Sequence, residues 1–281
     1  MALSMIFWGG SWISGKVITR MAEPEIIIFW RYLISVISFI FLIPFLKNDF
    51  KVNKRALVGT AFCGILMIAY SQLFFTGLRS GLASSGGVIV TTLSPIITFL
   101  ISSILFSLKL SYRQIAGLGI GLLSGMFFIE VWNTSYEKLF SSGNLFFVGG
   151  ALLWSFITVL SQKVQKHISP IGYNFYMSIF TVVFQFPFCG QSQIFSVFSY
   201  GIVFWANLLF LAILSSTFAG TMFFLAARRV GAGLASSFMF IVPASALFLG
   251  IVILGESPTI FTLIGGSAAI ISVYLINRKK N

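Results

Sequence analysis

The sequence predicts an all-α integral membrane protein whose ten transmembrane helices form two inverted five-helix repeats. Three observations predict this fold: the composition, the number of apolar runs, and marker residues that recur in the two halves. Charged residues make up 9% of the 281 residues, hydrophobic residues make up 58%, and the mean hydropathy is +1.00. Since a soluble domain carries roughly 25% charged residues, this composition places the chain in a lipid bilayer.

The ten predicted spans are the apolar runs between charged or Gly/Pro-rich breaks. A spanning helix needs about 20 mostly apolar residues, because its backbone polar groups find no water in hydrocarbon and must bond within the helix. The runs are Ala2 to Ile18, Ile26 to Leu46, Ala56 to Thr76, Ala83 to Leu108, Gln114 to Val131, Asn144 to Gln162, Pro170 to Phe188, Tyr200 to Ala226, Leu234 to Leu254 and Thr259 to Ile276. The connections are short, so function is expected within or beside the membrane.

The basic residues predict the orientation of these spans. With a cytoplasmic N-terminus, thirteen Lys and Arg side chains fall on the inside, whereas Lys16, Arg20, Arg79 and Lys138 fall on the outside and Arg31 lies within the second run. The positive-inside rule therefore favours two cytoplasmic termini, and we expect a multi-pass protein of the plasma (inner) membrane. Because the orientation of the spans accounts for the net charge of +12, we expect no nucleic-acid partner.

Two halves of the chain carry matching residues at nearly constant separations. The matching pairs are Trp8 with Trp154 and Pro24 with Pro170, both 146 residues apart, and Pro95 with Pro243 and Gly117 with Gly265, both 148 apart. We therefore divide the chain into repeats at 1–143 and 144–281. Because each repeat has an odd number of spans, the second enters the membrane from the opposite side, an arrangement that suits alternating access.

Pro95 and Pro243 lie near the middle of the fourth and ninth runs. A proline lacks an N–H group, and its ring crowds the carbonyl four residues earlier, here that of Thr91 or Met239. A backbone acceptor freed in hydrocarbon needs a partner, so the paired prolines predict a binding site close to them. The alternative is a pair of kinks that only shape helix packing.

The first repeat carries the motifs WGGSWISGK at Trp8 to Lys16, Glu23-Pro24, and FWRYL at Phe29 to Leu33. These motifs resemble the first repeat of the EamA-type family in the drug/metabolite transporter superfamily. The resemblance covers nearly the whole chain and implies a metabolite or drug permease. Because that superfamily also includes flippases of lipid-linked precursors, such a flippase is the alternative within transport.

The ends of the two repeats are also similar to that family. They read SLKLSYRQIAG at Ser107 to Gly117 and ILGESPTIFTLIGG at Ile253 to Gly266. One departure is that Leu108 occupies the first-repeat position that matches Glu256, so one half lacks this carboxylate.

Charged candidates for the site lie toward the outer mouth. We expect Lys16 and Arg31 to act there as mouth or gating residues, with Arg31 either extending toward the interface or pairing with Glu23, Glu25 or a substrate carboxylate. Glu130 is placed at the outer end of its span. Since no Asp, Glu or Lys is expected at mid-membrane, a neutral or zwitterionic solute such as an amino acid fits best.

The cavity wall is therefore expected to consist of aromatic and neutral polar side chains. Alternatively, the Ser and Thr hydroxyls bond their own backbone and the tryptophans only pack. The predicted substrate-binding residues are Trp8, Trp12, Tyr70, Gln72, Thr91, Thr92, Pro95, Trp154, Thr158, Thr221, Met239 and Pro243.

No motif for catalysis, metal or nucleotide binding is found in the sequence, so we expect no enzyme activity and no cofactor. The stripe of Gly117, Gly121 and Gly125 predicts close helix contact, either within the bundle or between two copies, so a monomer and a homodimer both remain open. We interpret the chain as a secondary permease for a small organic metabolite, with membrane lipids as its surroundings. The alternative from another class is a non-transporting membrane sensor or scaffold, which needs no solvent-connected cavity.

Overall fold

The computed structural model describes residues 1–42, 50, 52–107, 109–133, 135, 143–190, 193–254 and 259–278. Long helices account for most of these residues, and no strand occurs among them. The helices are α1 (Ala2–Ile18), α2 (Pro24–Leu42), α3 (Lys54–Ser80), α4 (Ala83–Phe106), α5 (Tyr112–Ile129), α6 (Asn144–Val164), α7 (Pro170–Gln185), α8 (Ile202–Val230), α9 (232–254) and α10 (Ile260–Asn277).

Over the described residues, each predicted apolar run is mostly helical, and the described helix ends lie within about four residues of the predicted ones. Seven described helices, namely α2 to α6, α8 and α10, are long and apolar enough to cross a membrane. α1 and α7 have 17 and 16 residues, and α9 is interrupted, so the ten-span topology stays a prediction. Leu108, Lys138 and Glu256 lie outside the described residues.

Side-chain caps fix where several helices begin. Asn53 accepts a hydrogen bond from the Ala56 amide at the start of α3, and Ser169 accepts one from Gly172 at the start of α7. Ser111 and Gln114 form a reciprocal capping box at the start of α5. These side chains satisfy the first amides of each helix, which have no partner within the helix.

The helices pack in a pattern that is nearly unchanged when the two halves are exchanged. α1 packs against α8 and α9, and α6 packs against α3 and α4. α2 packs against α7 and α8, and α7 packs against α2 and α3. α4 contacts α9, and α5 lies along α10.

The contact between α5 and α10 contains two reciprocal hydrogen bonds. The Ser124 hydroxyl donates to the Gly265 carbonyl at 2.8 Å, and the Ser272 hydroxyl donates to the Gly117 carbonyl at 2.7 Å. Both hydroxyls are buried, and both bonds join the two halves of the chain. A serine side chain is short, so each bond to a backbone carbonyl requires the two helices to lie close together at the glycines.

The glycine stripe of α5 faces other helices of the same chain. A Cβ atom at Gly117 would lie 2.6 Å from Ile276 Cγ1, and one at Gly125 would lie 2.5 Å from Thr92 Oγ1. The side chain of Phe240 covers Gly121. The geometry thus matches the bundle-packing interpretation of this stripe.

The two proline-containing helices differ from each other. α4 continues as an α-helix through Pro95, whereas α9 has a 3₁₀ turn over Phe238–Phe240 just before Pro243. The largest departure from α-helical geometry lies elsewhere, in a π-helical segment of α8 at Phe210–Ala219.

We predict that Gly121→Leu destabilises the protein by about 1–3 kcal/mol, because the new side chain has to displace Phe240 from its packed position. The free energy of unfolding in detergent micelles measures this effect. Gly119→Leu on the same helix is the matched control, since nothing lies within 4 Å of its Cβ position. Equal stability of the two variants would contradict the packing role of the stripe.

Candidate functional site

A cavity lies between helices of both halves, inside the bundle. Its wall takes residues from α1 to α4 and from α6 to α9, so both halves of the chain contribute. Neither α5 nor α10 supplies a residue to the lining, which agrees with their packing along each other.

One side of the cavity is a cluster of aromatic rings. The indoles of Trp8 and Trp154, one from each half, meet edge to face with ring centroids 5.2 Å apart. Tyr70 lies 5.1 Å from Trp154, and Trp12 lies 4.6 Å from Phe74. Such an aromatic surface suits the apolar part of a small organic molecule.

The cationic group of the lining is Arg31, which is 8% exposed. Its Nε donates to the Ser216 hydroxyl at 2.7 Å. Its Cζ lies 5.6 Å from the ring centroid of Tyr32 and 5.9 Å from that of Phe75, within the range of cation–π attraction. Arg31 thus lies in the cavity wall, where Ser216 of α8 and the aromatic rings hold its side chain, and its predicted role at the mouth stays a prediction.

The ion pair between Arg31 and Glu23, one of the alternatives that the sequence offered, is not formed in the structure. Glu23 forms an ion pair with Arg79, with the Nη2 and Oε1 atoms 2.7 Å apart. The hydrogen bond from Arg79 holds the pKa of Glu23 below its ordinary value. Both side chains are about half exposed, so the pair adds at most about 1 kcal/mol, which is lost as the pH falls through the pKa of Glu23.

The π-helical segment of α8 gathers the polar groups of the site. In a π-helix the hydrogen bonds run from residue i to i+5, which widens the turn and displaces carbonyl groups from their α-helical partners. Trp8 Nε1 donates to the Ser215 carbonyl at 3.2 Å, and Asn174 Nδ2 donates to the Ser216 carbonyl at 3.0 Å. The Ser35 hydroxyl donates to the Ala212 carbonyl at 3.0 Å. Donors from α1, α2 and α7 therefore meet at one widened segment.

Half of the predicted substrate-binding residues line the cavity. Thr91 and Met239, the residues four positions before Pro95 and Pro243, are both in its wall. The predicted residues that the structure brings together are Trp8, Trp12, Tyr70, Thr91, Trp154 and Met239.

The other six predicted residues lie outside the central lining. Contacts show where three of them lie instead, and Pro243 lines a second pocket. Thr158 donates to the Trp154 carbonyl on its own helix at 2.8 Å, and Thr92 faces Gly125 in the contact with α5. Thr221 accepts a hydrogen bond from Asn174 at 2.9 Å and so lies behind the wall. The predicted residues outside the central lining are Gln72, Thr92, Pro95, Thr158, Thr221 and Pro243.

Lys16 joins helix ends instead of lining the cavity. Its Nζ donates to the carbonyl of Leu78 at 2.5 Å and to that of Gly81 at 2.7 Å. These carbonyls belong to the last turn of α3 and the residue that follows it, where α-helical partners are lacking. Lys16 therefore fixes the end of α1 against the turn between α3 and α4.

Sequence reasoning missed the polar groups from α7 and α8. Asn174 is 3% exposed and bonds three groups of α8, while Ser215 and Ser216 line the cavity beside Arg31. An amide in an apolar run and three consecutive hydroxyl residues at 215–217 were available signals. Within the described ranges, no group of three His, Cys, Asp or Glu side chains is placed to hold a metal ion.

A bundle with seven described helices long and apolar enough to cross a membrane, arranged around a cavity, has the architecture of a multi-pass membrane protein. The chain belongs to the EamA-like transporter family, whose sequence model matches residues 1–129 and 141–278. The expected relation to the drug/metabolite transporter superfamily is thereby confirmed, and the protein is a membrane transporter.

Similar proteins are also named as transporters. The chain is 29% identical to the uncharacterized transporter YoaV of Bacillus subtilis over 92% of this chain and 89% of that protein. It is 24% identical to an uncharacterized transporter of Archaeoglobus fulgidus over 100% of this chain and 97% of that protein. A solved crystal structure shares the fold with a TM-score of 0.70 at 15% identity, over 98% of this chain and 96% of that one.

We predict that Asn174→Leu lowers the free energy of unfolding by about 1–2 kcal/mol, because two carbonyls and one hydroxyl of α8 lose their donor. Denaturant titration in micelles gives this quantity. Asn207→Leu in the same helix α8 is the control, since Asn207 Nδ2 bonds the carbonyl of Val203 one turn earlier. A loss as large in Asn207→Leu would mean that Asn174 has no special part in holding α7 to α8.

Proposed function

We propose that this transporter is a secondary permease that moves a small organic metabolite, neutral or zwitterionic such as an amino acid, by alternating access. The observation that carries the proposal is the central cavity, whose wall combines aromatic rings with a few polar groups and draws on both halves of the chain. This composition is typical of sites for small organic ligands.

Alternating access is supported by the relation between the halves. The main helix contacts are kept on exchanging α1–α5 with α6–α10, and Trp8 touches its counterpart Trp154 inside the cavity. We infer ten spans in two inverted repeats, 1–143 and 144–281, because five spans in each reverse the direction of entry. Two similar half-bundles around one site can exchange roles, so the inward-open and outward-open states have comparable energies.

The distribution of Lys and Arg supports a plasma membrane location with both termini in the cytoplasm. A sensor or scaffold has no need for a polar and aromatic cavity between its halves, so the cavity favours transport over that alternative.

A lipid-linked-precursor flippase is the second candidate, and a second pocket favours it. This pocket is mostly apolar and lies among α1, α4, α5, α9 and α10. Trp12 belongs to both this pocket and the central cavity. A flippase predicts that long-chain amphiphiles compete with the transported molecule, whereas a permease predicts that uptake is unchanged by them.

We predict that Trp8→Ala and Trp154→Ala each lower substrate uptake by about 10-fold, because each removes one ring of the aromatic wall. Proteoliposomes loaded with a metabolite mixture identify the solute, and its rate of uptake is then compared among variants that elute as intact protein. Trp132→Ala is the control, since Trp132 packs against Phe127 and Phe261 away from the cavity. Unchanged uptake in both cavity variants would exclude the aromatic wall as the binding surface and leave the permease proposal standing.

A further inference from the structure

Two hydrogen-bond donors of the cavity wall have capacity that the described residues do not use. The first is Trp154, which is 6% exposed and whose Nε1 has no acceptor in the described part of the chain. Its counterpart Trp8 donates to the Ser215 carbonyl. The difference follows from the helices: α8 is π-helical over Phe210–Ala219, whereas α3 is α-helical from Lys54 to Ser80 and uses its carbonyl groups internally.

The second donor is the guanidinium of Arg31. Of its five N–H groups, the Nε–H is the one with a hydrogen bond among the described residues, to Ser216. Among the described residues, the side-chain ion pair joins Arg79 to Glu23, and no described carboxylate pairs with Arg31. A guanidinium 8% exposed in an apolar helix is costly unless partners replace its lost water, and an anion is the strongest such partner for the N–H groups that Ser216 and the two rings leave over.

We infer that the transported solute presents a carboxylate to Arg31 and Trp154, while its apolar body lies against the aromatic wall. This inference rests on the proposed permease function and goes beyond its neutral or zwitterionic solute, since a simple monocarboxylate is an anion. A carboxylate has two coplanar oxygens, which match the fork of a guanidinium and leave acceptor capacity for the indole N–H. Arg31 is the single cationic side chain of the lining, so one negative charge fits this site better than the two of a phosphate ester.

The same chemistry belongs to amino acids and to simple carboxylic acids. No acidic side chain occurs in the lining, whereas Asn174 uses its Nδ2 for α8 and keeps Oδ1 as an acceptor. An ammonium group would therefore find a neutral acceptor there, and a simple carboxylate would need none. The experiment includes both kinds of compound and separates them.

The test uses the full-length protein in proteoliposomes loaded with a defined mixture. The mixture contains the twenty protein amino acids, short- and medium-chain carboxylic acids including phenylacetate, and the amines and amides that correspond to them. Mass spectrometry of the released compounds then reports which are transported. We expect release of carboxylates over their matched amines and amides, with amino acids and simple acids read out separately.

Three variants test the two donors. We expect Arg31→Gln to lower release of the carboxylates about 10- to 100-fold, and Arg31→Lys to restore part of it, because the charge returns without the bidentate fork. We expect Trp154→Phe, which keeps an aromatic but smaller ring and removes the N–H group, to lower release of the carboxylates about 3- to 10-fold and to lower release of the matched amides less. Arg79→Gln is the control for the arginine, and Trp30→Phe is the control for the indole, since Trp30 Nε1 donates to the Ile194 carbonyl at 2.7 Å away from the cavity.

The outcomes separate the two proposals. Equal release of carboxylates and their amides, or release by Arg31→Gln equal to that by Arg79→Gln, overturns the carboxylate inference and leaves transport itself intact. Absence of any released compound from wild-type vesicles overturns the proposed function, and the inference with it. If Arg31→Gln does not elute as folded protein, Trp154→Phe and Arg31→Lys decide the question, since wild-type rates in both would overturn the inference.

Discussion

The structure depends on one constraint: polar groups that the bilayer removes from water have to find partners inside the chain. The reciprocal bonds from Ser124 to Gly265 and from Ser272 to Gly117 show how the chain meets it at the contact between α5 and α10. Each bond uses a carbonyl made accessible by glycine, and each glycine lets the opposite helix approach. The two helices outside the cavity lining are thus joined by bonds across the halves, which leaves the other eight to surround the central space.

The same constraint explains why the cavity is asymmetric although the packing of the helices is not. The π-helical segment in α8 offers displaced carbonyls, and Trp8, Ser35 and Asn174 each donate to one of them. The regular helix α3 offers none to Trp154. Met177 lies 146 residues after Arg31, the same separation as between Trp8 and Trp154. The position in the second half that corresponds to the charged Arg31 therefore carries an uncharged thioether. A nearly symmetric scaffold therefore surrounds a site that can distinguish the two ends of a solute.

Much of the fold could be predicted from the sequence because apolar length and small-residue spacing are local signals. The approximate helix bounds could be predicted from the apolar runs. The pairing of Trp8 with Trp154 and of Gly117 with Gly265 could be predicted from the nearly constant separation of the repeats. The π-helix could not be predicted, since its energy depends on donors from α1, α2 and α7 that only the tertiary structure brings to α8. The contacts of Arg31 in the cavity wall could not be predicted for the same reason: its depth along α2 is local information, but the direction of its long side chain is set by Ser216 and the rings around it.

The location of the donors bears on how binding would be coupled to movement. Arg31 lies on α2 in the first half, and Trp154 lies on α6 in the second, so a ligand that bonds both connects the two halves across the cavity. A ligand shifts a conformational equilibrium only by the difference in its binding free energy between the two states. A solute held by one half alone would bind equally well in both states if that half moved as a rigid body. A solute held by both halves gains or loses contacts as they rock, and this difference is what alternating access requires.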